Sequence, residues 1–566
     1  MVKKPSKSDK NSIKADVIVL GCTLPGIVAA HKLKRKFGDT MDIMVLDLGG
    51  NKIVDTKCNV AFQDKDDPNM SPRRMPKYDH TAREILDNVA RFYLVQYAKE
   101  LRVPLPDAII NPGRQSVAQI HLTMPIVADE VNEDQELEEK LPLQKVFQYG
   151  DGNTVEFEND FHDFEYLNFL EKFELNQYQT FLDKSMRELF QTNMINWASE
   201  RKILLYYDQT TMEKNICETL LFSTSREIMR TTVRLVCGAP ANSVSLLFYL
   251  HQCYRTSSAT NHLGGLNTRF REKLLGHCRK RLSNKLQQSV ADITLKSISI
   301  KEIRTYSEQV ILETIKGETT YICNLLAMAL KPDQLHNIQV EDQLLSDDKA
   351  GLAKGMIPGR GKKFNVQYAR NFWTKQGYSG DIFSMRGPII WAMEKPRMSS
   401  TGSLEKYAGL IGYLMVRDDG TDSKEAVLEQ LVKLFGEEAA TPVSYKETPI
   451  ADIYIPRCGD YVALRKLTNE GSPKFLEWGA LDIFADGDVA AALEAGHTAY
   501  LHLLGCLRPQ AQSYEDIIVS DWPTFLSGSP VKRWMSQFNV ISGIKLTVYS
   551  AALLIGIKLI HSYMRK

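Results

Sequence analysis

Residues Asp16 to Asp47, DVIVLGCTLPGIVAAHKLKRKFGDTMDIMVLD, constrain this chain more than any other stretch, because they read as a strand, a glycine turn, a helix and a second strand. Val17 to Leu20 is an apolar run that stops at Gly21. Ile27, Val28, Ala30 and Leu33 then recur at helical spacing until Gly38 and Asp39 interrupt the pattern, and Ile43 to Leu46 is the second strand. A strand feeding through glycine into a helix aims backbone N–H groups and the positive end of the helix dipole at the space above the turn, which suits a pyrophosphate. Asp47 ends the second strand about 20 residues further on, where a carboxylate can accept hydrogen bonds from a ribose. The pattern Gly-x-Gly-x-x-Gly is met at Gly21 and Gly26, but Thr23 stands where the middle glycine lets phosphates approach the backbone. Pro25 fits a first helical turn yet removes one donor from it. The stretch predicts a nucleotide-binding βαβ unit, the alternative being a structural βαβ unit that holds no ligand.

A chain of 566 residues is too long for one small core and predicts two or more intertwined domains. Lys and Arg number 70 against 69 Asp and Glu, so a net charge of +1 gives no electrostatic reason to expect nucleic acid. The nine cysteines are scattered and include no Cys-x-x-Cys pair, which reads as reduced thiols rather than a disulfide framework or a zinc site. Near the other end, Phe538 to Ile560, FNVISGIKLTVYSAALLIGIKLI, carries only Lys545 and Lys558 as charges. A helix of that length spans about 35 Å, enough for a bilayer core of about 30 Å, and lysines near the ends can snorkel to headgroups. The expectation is a tail anchor with basic flanks, of the kind received by the mitochondrial outer membrane, with residues 1 to about 530 on the cytosolic face; the endoplasmic reticulum membrane is the alternative.

Between these ends the pattern alternates. Asp64 to Asp79 reads as a surface loop, Ala82 to Leu101 as an amphipathic helix, and the acidic run Asp129 to Lys140 as a solvated insertion. From Phe164 to about Leu286 helices dominate; Asn242 to Cys253, NSVSLLFYLHQC, begins with a good cap residue and is apolar all round, so it should cross a core. Strands return from Ala291 to Ala327. Phe364 to Tyr368, Phe383 to Trp391 and Leu410 to Val416 read as a second sheet, with helices at Lys424 to Leu434 and Ala485 to Leu504.

Several of these stretches, in this order, resemble the flavin-dependent amine oxidases, monoamine oxidase most of all. The resemblance rests on Gly21 to Gly26, on Gly49-Gly50 where the family has a GGR loop, and on TTMEK at Thr210 to Lys214 followed by NSVSLLFYLHQC. It continues through Gly264-Gly265, GKKFNVQYARNFWTKQGYSGD at Gly361 to Asp381, LEAGHTAY at Leu493 to Tyr500, and the C-terminal anchor. It implies an α/β fold: a Rossmann-like (FAD/NAD(P)-binding) domain, a mixed-sheet and helical substrate domain, and one C-terminal transmembrane helix. Divided on that basis, 1–14 is a polar tail, and 15–105, 256–335 and 451–530 build the nucleotide domain. Residues 106–255, read as mainly helical, and 336–450, which carry the second sheet, build the substrate domain, and 538–560 the anchor.

The resemblance also implies FAD, a homodimer, and oxidation of a small amine to imine with release of hydrogen peroxide. Its cofactor-binding residues here are Gly21, Thr23, Gly26, Asp47, Gly49, Gly50, Asp482 and Gly487. Lys363, ten residues before Trp373, matches the lysine that the family holds near the flavin by way of a water. Other family positions have changed. The tethering cysteine turn reads Tyr454-Ile455-Pro456-Arg457-Cys458-Gly459-Asp460-Tyr461, with Cys458 one position out of register, so FAD should be non-covalent. The two tyrosines of the amine cage fall near Ile455 and on Asp488; Asp488 is a candidate partner for a cationic amine. The GTE acid falls on Leu481 unless Asp482 substitutes, and the GGR arginine on Asn51 or Lys52. The expectation is a catalytically impaired member of the fold that serves as a binding or scaffold protein for a protein partner; the alternative is an active FAD-dependent amine oxidoreductase with an altered substrate.

Overall fold

The computed structural model describes residues 12–49, 89–103, 143–159, 161–190, 197–257, 277–315, 317, 319–342, 347–359, 361–395, 407–415, 423–449, 454–464, 475–476, 489–511 and 558. The chain enters on β1 (Ser12–Leu20), turns into α1 (Leu24–Phe37), returns on β2 (Ile43–Leu46) and continues to α2 (Val89–Glu100). A hairpin of β3 (Gln144–Gln148) and β4 (Thr154–Phe157) precedes a helical stretch: α3 (Phe169–Phe190), α4 (Trp197–Gln209), α5 (Met212–Thr219), α6 (Ser223–Cys237), α7 (Leu246–Ser257) and α8 (His277–Ser289). Strands resume with β5 (Thr294–Leu295), β6 (Ile300–Tyr306), β7 (Gln309–Thr314) and β8 (Thr320–Met328), then α9 (Pro332–His336), β9 (Gln339–Val340) and α10 (Asp347–Lys354). The remainder is β10 (Ile357–Pro358), β11 (Lys362–Tyr368), α11 (Phe372–Lys375), β12 (Tyr378–Ser384), β13 (Ile389–Glu394), β14 (Ala408–Leu414), α12 (Ser423–Phe435), β15 (Ser444–Pro449), β16 (Tyr454–Ile455), β17 (Phe475–Leu476) and α13 (Val489–Leu507).

Two sheets result. The first runs β5-β2-β1-β8-β7-β6-β9, with β17 also beside β8. Its β5-β2-β1-β8 half is parallel, and β8-β7-β6 is antiparallel. The second runs β15-β11-β14-β13-β12-β3-β4 and is antiparallel except where β12 meets β3. β1 is apolar at successive positions because both its faces are covered, as a parallel strand requires. Val17 and Val19 pack with residues of α1, α2, α8 and α13. Ile18 and Leu20 face the opposite way, into a core shared with the helical middle. In the second sheet Phe364, Val366 and Tyr368 pack with Val427 and Leu431 of α12. The other face, with Trp391, Met393, Ile411 and Tyr413, joins the core that holds Leu20 and Ile455. One hydrophobic core therefore lies between the two sheets.

The mixed α/β architecture and helical middle agree with the sequence expectation, and three local readings need correction. Phe383 to Trp391 is not one strand: Gly387, at φ 68°, helps turn the chain between β12 and β13, which pair antiparallel. The core-crossing helix begins at Leu246 rather than Asn242, because Ser245 Oγ accepts the Phe248 N–H at 3.2 Å while Asn242 stays outside the helix. The β3–β4 hairpin was hidden in a region read as helical; Lys145 and Gln148 are buried there, which breaks the polar-out alternation that marks a strand. Among the described residues no helix is long and apolar enough to cross a membrane. Phe538 to Ile560 lies outside them, Lys558 apart, as do Asp64 to Asp79 and Asp129 to Lys140.

Beyond the strand pairings, two contacts help to hold the later chain against the earlier part. Gly496 of α13 sits on the first turns of α1, where an added Cβ would lie 2.5 Å from Val28 Cβ and 2.6 Å from the Pro25 carbonyl oxygen. Asp208, near the end of α4 and fully buried, fixes the segment after β16. Its carboxylate accepts the Val462 N–H at 2.9 Å and the Ser245 hydroxyl at 3.2 Å. Its carbonyl accepts the Gly459 N–H at 2.8 Å and the Cys458 thiol at 3.1 Å. Burial pushes the Asp208 carboxyl up to about 6, overcoming the hydrogen bonds that favour its charged form.

Two measurements follow. Gly496→Ala should lower the urea midpoint by the equivalent of about 1–3 kcal/mol through overpacking, whereas Gly150→Ala, which has open space around it, should shift it by less than about 0.5 kcal/mol. Because Asp208 binds its proton more tightly folded than unfolded, the stability of the wild type relative to Asp208→Asn should rise as pH falls from 7 through 6 and level off below about 4, with a total swing of about 3 kcal/mol. A difference that is flat with pH would show that Asp208 is ionised to the same degree in both states.

Candidate dinucleotide and substrate site

The first cluster of candidate residues forms where β1, β2 and β8 end. Gly21 has φ 106°, and a Cβ there would lie 2.2 Å from the carbonyl oxygen of Ala329, the residue after β8. A Cβ on Gly26 would lie 2.5 Å from the Ala329 methyl and 2.9 Å from the Gly21 carbonyl oxygen. Both glycines are therefore required by the fold itself, one for backbone conformation and both for close approach. Ala329 N–H donates to the Leu20 carbonyl at 2.8 Å, which extends the β1–β8 ladder to the turn. Thr23 occupies the N-cap position of α1 with φ −67° and ψ 158°, but its side chain makes no capping bond. Its hydroxyl donates to the Ala329 carbonyl at 3.0 Å instead.

Asp47 stands at the end of β2. Its N–H donates to Leu295 at 2.8 Å, its carbonyl accepts from Ile298 at 2.9 Å, and one carboxylate oxygen accepts the Gly49 N–H at 3.1 Å. Gly49, at φ 74°, has its carbonyl within 3.4 Å of Gln334 Nε2 of α9. Beside them the Cys22 thiol is pushed up to about 12 by burial and by the Asp47 charge, partly offset by Lys296, so it is not a nucleophile at neutral pH. This arrangement fits a dinucleotide: a tight turn, a helix N-terminus that its own cap residue leaves uncapped, and a carboxylate just after β2 in the crevice beyond the strand ends. Gly21, Thr23, Gly26, Asp47 and Gly49 come together here. Gly50, Asn51, Lys52, Leu481, Asp482, Gly487 and Asp488 lie outside the described residues.

The second cluster lies on the inner face of the second sheet. Lys363 on β11 pairs across the ladder with Tyr413 on β14, so both point into the shared core, and Lys363 Nζ lies 5.8 Å from the Tyr413 ring centroid. Asn365 follows on the same face; its Oδ1 is buried with no hydrogen-bond partner among the described residues. Ile455 is fully buried and pairs with Ile357. Cys458 turns its thiol to the Asp208 carbonyl, and burial with the Asp208 and Asp460 charges raises its pKa. Tyr461, fully buried, meets His251 Nδ1 at 2.5 Å. Sequence reading overlooked Asn365, Asp208 and this His251–Tyr461 pair. Asn365 carried a visible signal, a polar residue in line with Lys363 at period two; the other contacts join positions more than 200 residues apart and carried none.

Comparison with known proteins bears on both clusters. A family model described as flavin containing amine oxidoreductase matches residues 83–455. A Dictyostelium discoideum protein described as a probable flavin-containing monoamine oxidase A is 22% identical over 250 residues, covering 43% of this chain and 53% of that protein. The match thus spans about half the length of that curated relative. Among solved structures, wild-type putrescine oxidase bound to putrescine superposes with a TM-score of 0.60 at 13% identity, covering 88% of this chain and 100% of that one. Cyclohexylamine oxidase from Brevibacterium oxydans gives 0.57 at 17% identity, covering 87% and 100%. These structural matches establish a shared fold. FAD is the cofactor that such a family implies, and Gly21, Gly26, Asp47 and Gly49 are the described residues that could hold its dinucleotide portion. With the family match running from before α2 into β16, the chain belongs to the flavin containing amine oxidoreductases.

Proposed function

We propose that this chain is a flavoprotein of the amine oxidase fold that holds FAD without a covalent bond, is impaired in ordinary amine oxidation, and works as a binding or scaffold protein. The observation that carries this reading is the segment 454–461. Where an aromatic wall and a flavin-tethering thiol would stand in the enzymes this chain resembles, Ile455 is an aliphatic residue locked into pairing with Ile357. Cys458 faces the Asp208 carbonyl with its pKa raised, a state that disfavours thiolate chemistry. An aliphatic wall offers neither the quadrupole nor the slot geometry that steers an amine nitrogen toward a ring.

When bound, FAD supplies two-electron acceptance, the chemistry that the family applies to amines. The residues of this chain then have definite tasks. The first turn of α1 receives phosphate charge, Asp47 accepts from a ribose hydroxyl, and the core between the sheets excludes water. Lys363 is the one described residue matched to a role beside the reacting centre; its position on the inner face, over the Tyr413 ring, favours a second reading in which the chain is an active oxidoreductase with an altered amine substrate. We also propose that Phe538 to Ile560 anchors the chain in the mitochondrial outer membrane, facing the cytosol, with the endoplasmic reticulum as the alternative address, and that the chain forms a homodimer.

Three outcomes are expected. Purified full-length chain in detergent should take up FAD at about one per chain, and acid precipitation should release all of it to the supernatant; flavin that stays with the pellet would mean a covalent link. The loaded protein should release no hydrogen peroxide above background on a panel of primary and secondary amines, whereas turnover that Lys363→Met abolishes would establish the second reading. A fluorescent fusion should outline mitochondria and become diffuse when 531–566 is deleted; an unchanged distribution would remove the anchor.

A further inference from the structure

We infer that Thr23 is a positioning residue that keeps the phosphate space open by parking its side chain on β8. This rests on FAD as the ligand proposed above and concerns how a chain without the middle glycine can still admit it. A side chain at this place has two ordinary fates. It can project toward the phosphates, or its oxygen can cap the helix by accepting an N–H of the first turn. Thr23 takes neither: its hydroxyl donates to the Ala329 carbonyl at 3.0 Å, no capping bond is made, and the residue is 4% exposed.

Two consequences point the same way. First, Pro25 has no N–H, so the Gly26 amide is the cap donor left in the first turn, and Thr23 leaves that amide to a ligand. Second, the acceptor is the carbonyl against which Gly21 is pressed, so the bond fixes the side chain to the same residue that fixes the turn. A hydroxyl is essential to the arrangement, since an apolar branch in its place would leave the buried Ala329 carbonyl without this donor and gain nothing by staying there. The branch would then be free to rotate toward the crevice.

The prediction is an order of affinities that a structural role alone would not give. The dissociation constant for FAD is measured by quenching of flavin fluorescence on the full-length chain, beside a urea midpoint for each variant without FAD. Thr23→Ser keeps the donor and should bind within threefold of wild type. Thr23→Gly loses the donor and should be less stable, yet it has nothing to obstruct the phosphates and should also bind within threefold. Thr23→Val keeps the bulk without the donor and should bind at least tenfold more weakly. Equal weakening in Gly and Val, following their stabilities, overturns the parking role and leaves a purely structural bond; binding by Val equal to wild type overturns it as well. If the wild type itself takes up no FAD, the proposed function fails, and this inference fails with it.

Discussion

The contact on which the rest of the structure depends is the seating of the first turn against Ala329. Three residues of one short turn converge on it: Gly21 by backbone approach, Gly26 through the Ala329 methyl, and Thr23 by a hydrogen bond to its carbonyl. Because β1 pairs with β8 in parallel register along its length, this contact sets both the height of the turn above the sheet and the direction in which α1 leaves it. α13 then packs on α1 through Gly496, and α2 is tied to α1 by Glu100, which accepts from His31, Lys32 and Arg35 and is held well below the usual carboxylate range by those partners despite its burial. A small residue at the end of one strand thus decides the geometry of the nucleotide side.

The substrate side depends on a different support. Its sheet is packed by α12 on one face, and its inner face closes the core that reaches β1. The wall at Ile455 is held by β10 and, through Asp208, by the helical middle. The two halves of the site share one apolar core but take their hydrogen bonds from different segments. Among the described residues, the bonds from Thr23 to Ala329, from Gly49 to Asp47 and from Gln334 to Gly49 do not involve residues 454–461, so a change in that segment breaks none of the three.

How much of this could be read from the chain follows from the range of each interaction. β1, α1 and β2 are legible because apolar period and glycine punctuation are local, and α12 because its apolar stripe is regular. Lys363 was placed by its spacing to Trp373, and the ladder puts it on the inner face. The start of α7 was misplaced because two cap-forming residues, Asn242 and Ser245, compete within one turn, and only packing against Asp208 and α4 selects between them. Asp208 itself, in a helix of mixed polarity, looks like any surface acid until the segment around Val462 arrives to meet it. Thr23 read as an obstruction, since a sequence shows the bulk of a side chain and not the direction in which its hydroxyl is drawn.

The pairing of Thr23 with Ala329 spans 306 residues of chain, and this has a consequence for synthesis. At about 5–20 residues per second, roughly 15 to 60 seconds separate the emergence of β1 from that of its neighbour β8, and α13 arrives later still. During that interval β1 has β2 on one edge while its other edge waits for β8, and loop-closure entropy makes that second pairing slow. The nucleotide side of the fold is therefore completed in stages, first when β8 closes the free edge of β1 and again when α13 covers α1, well after the glycine turn itself has been made.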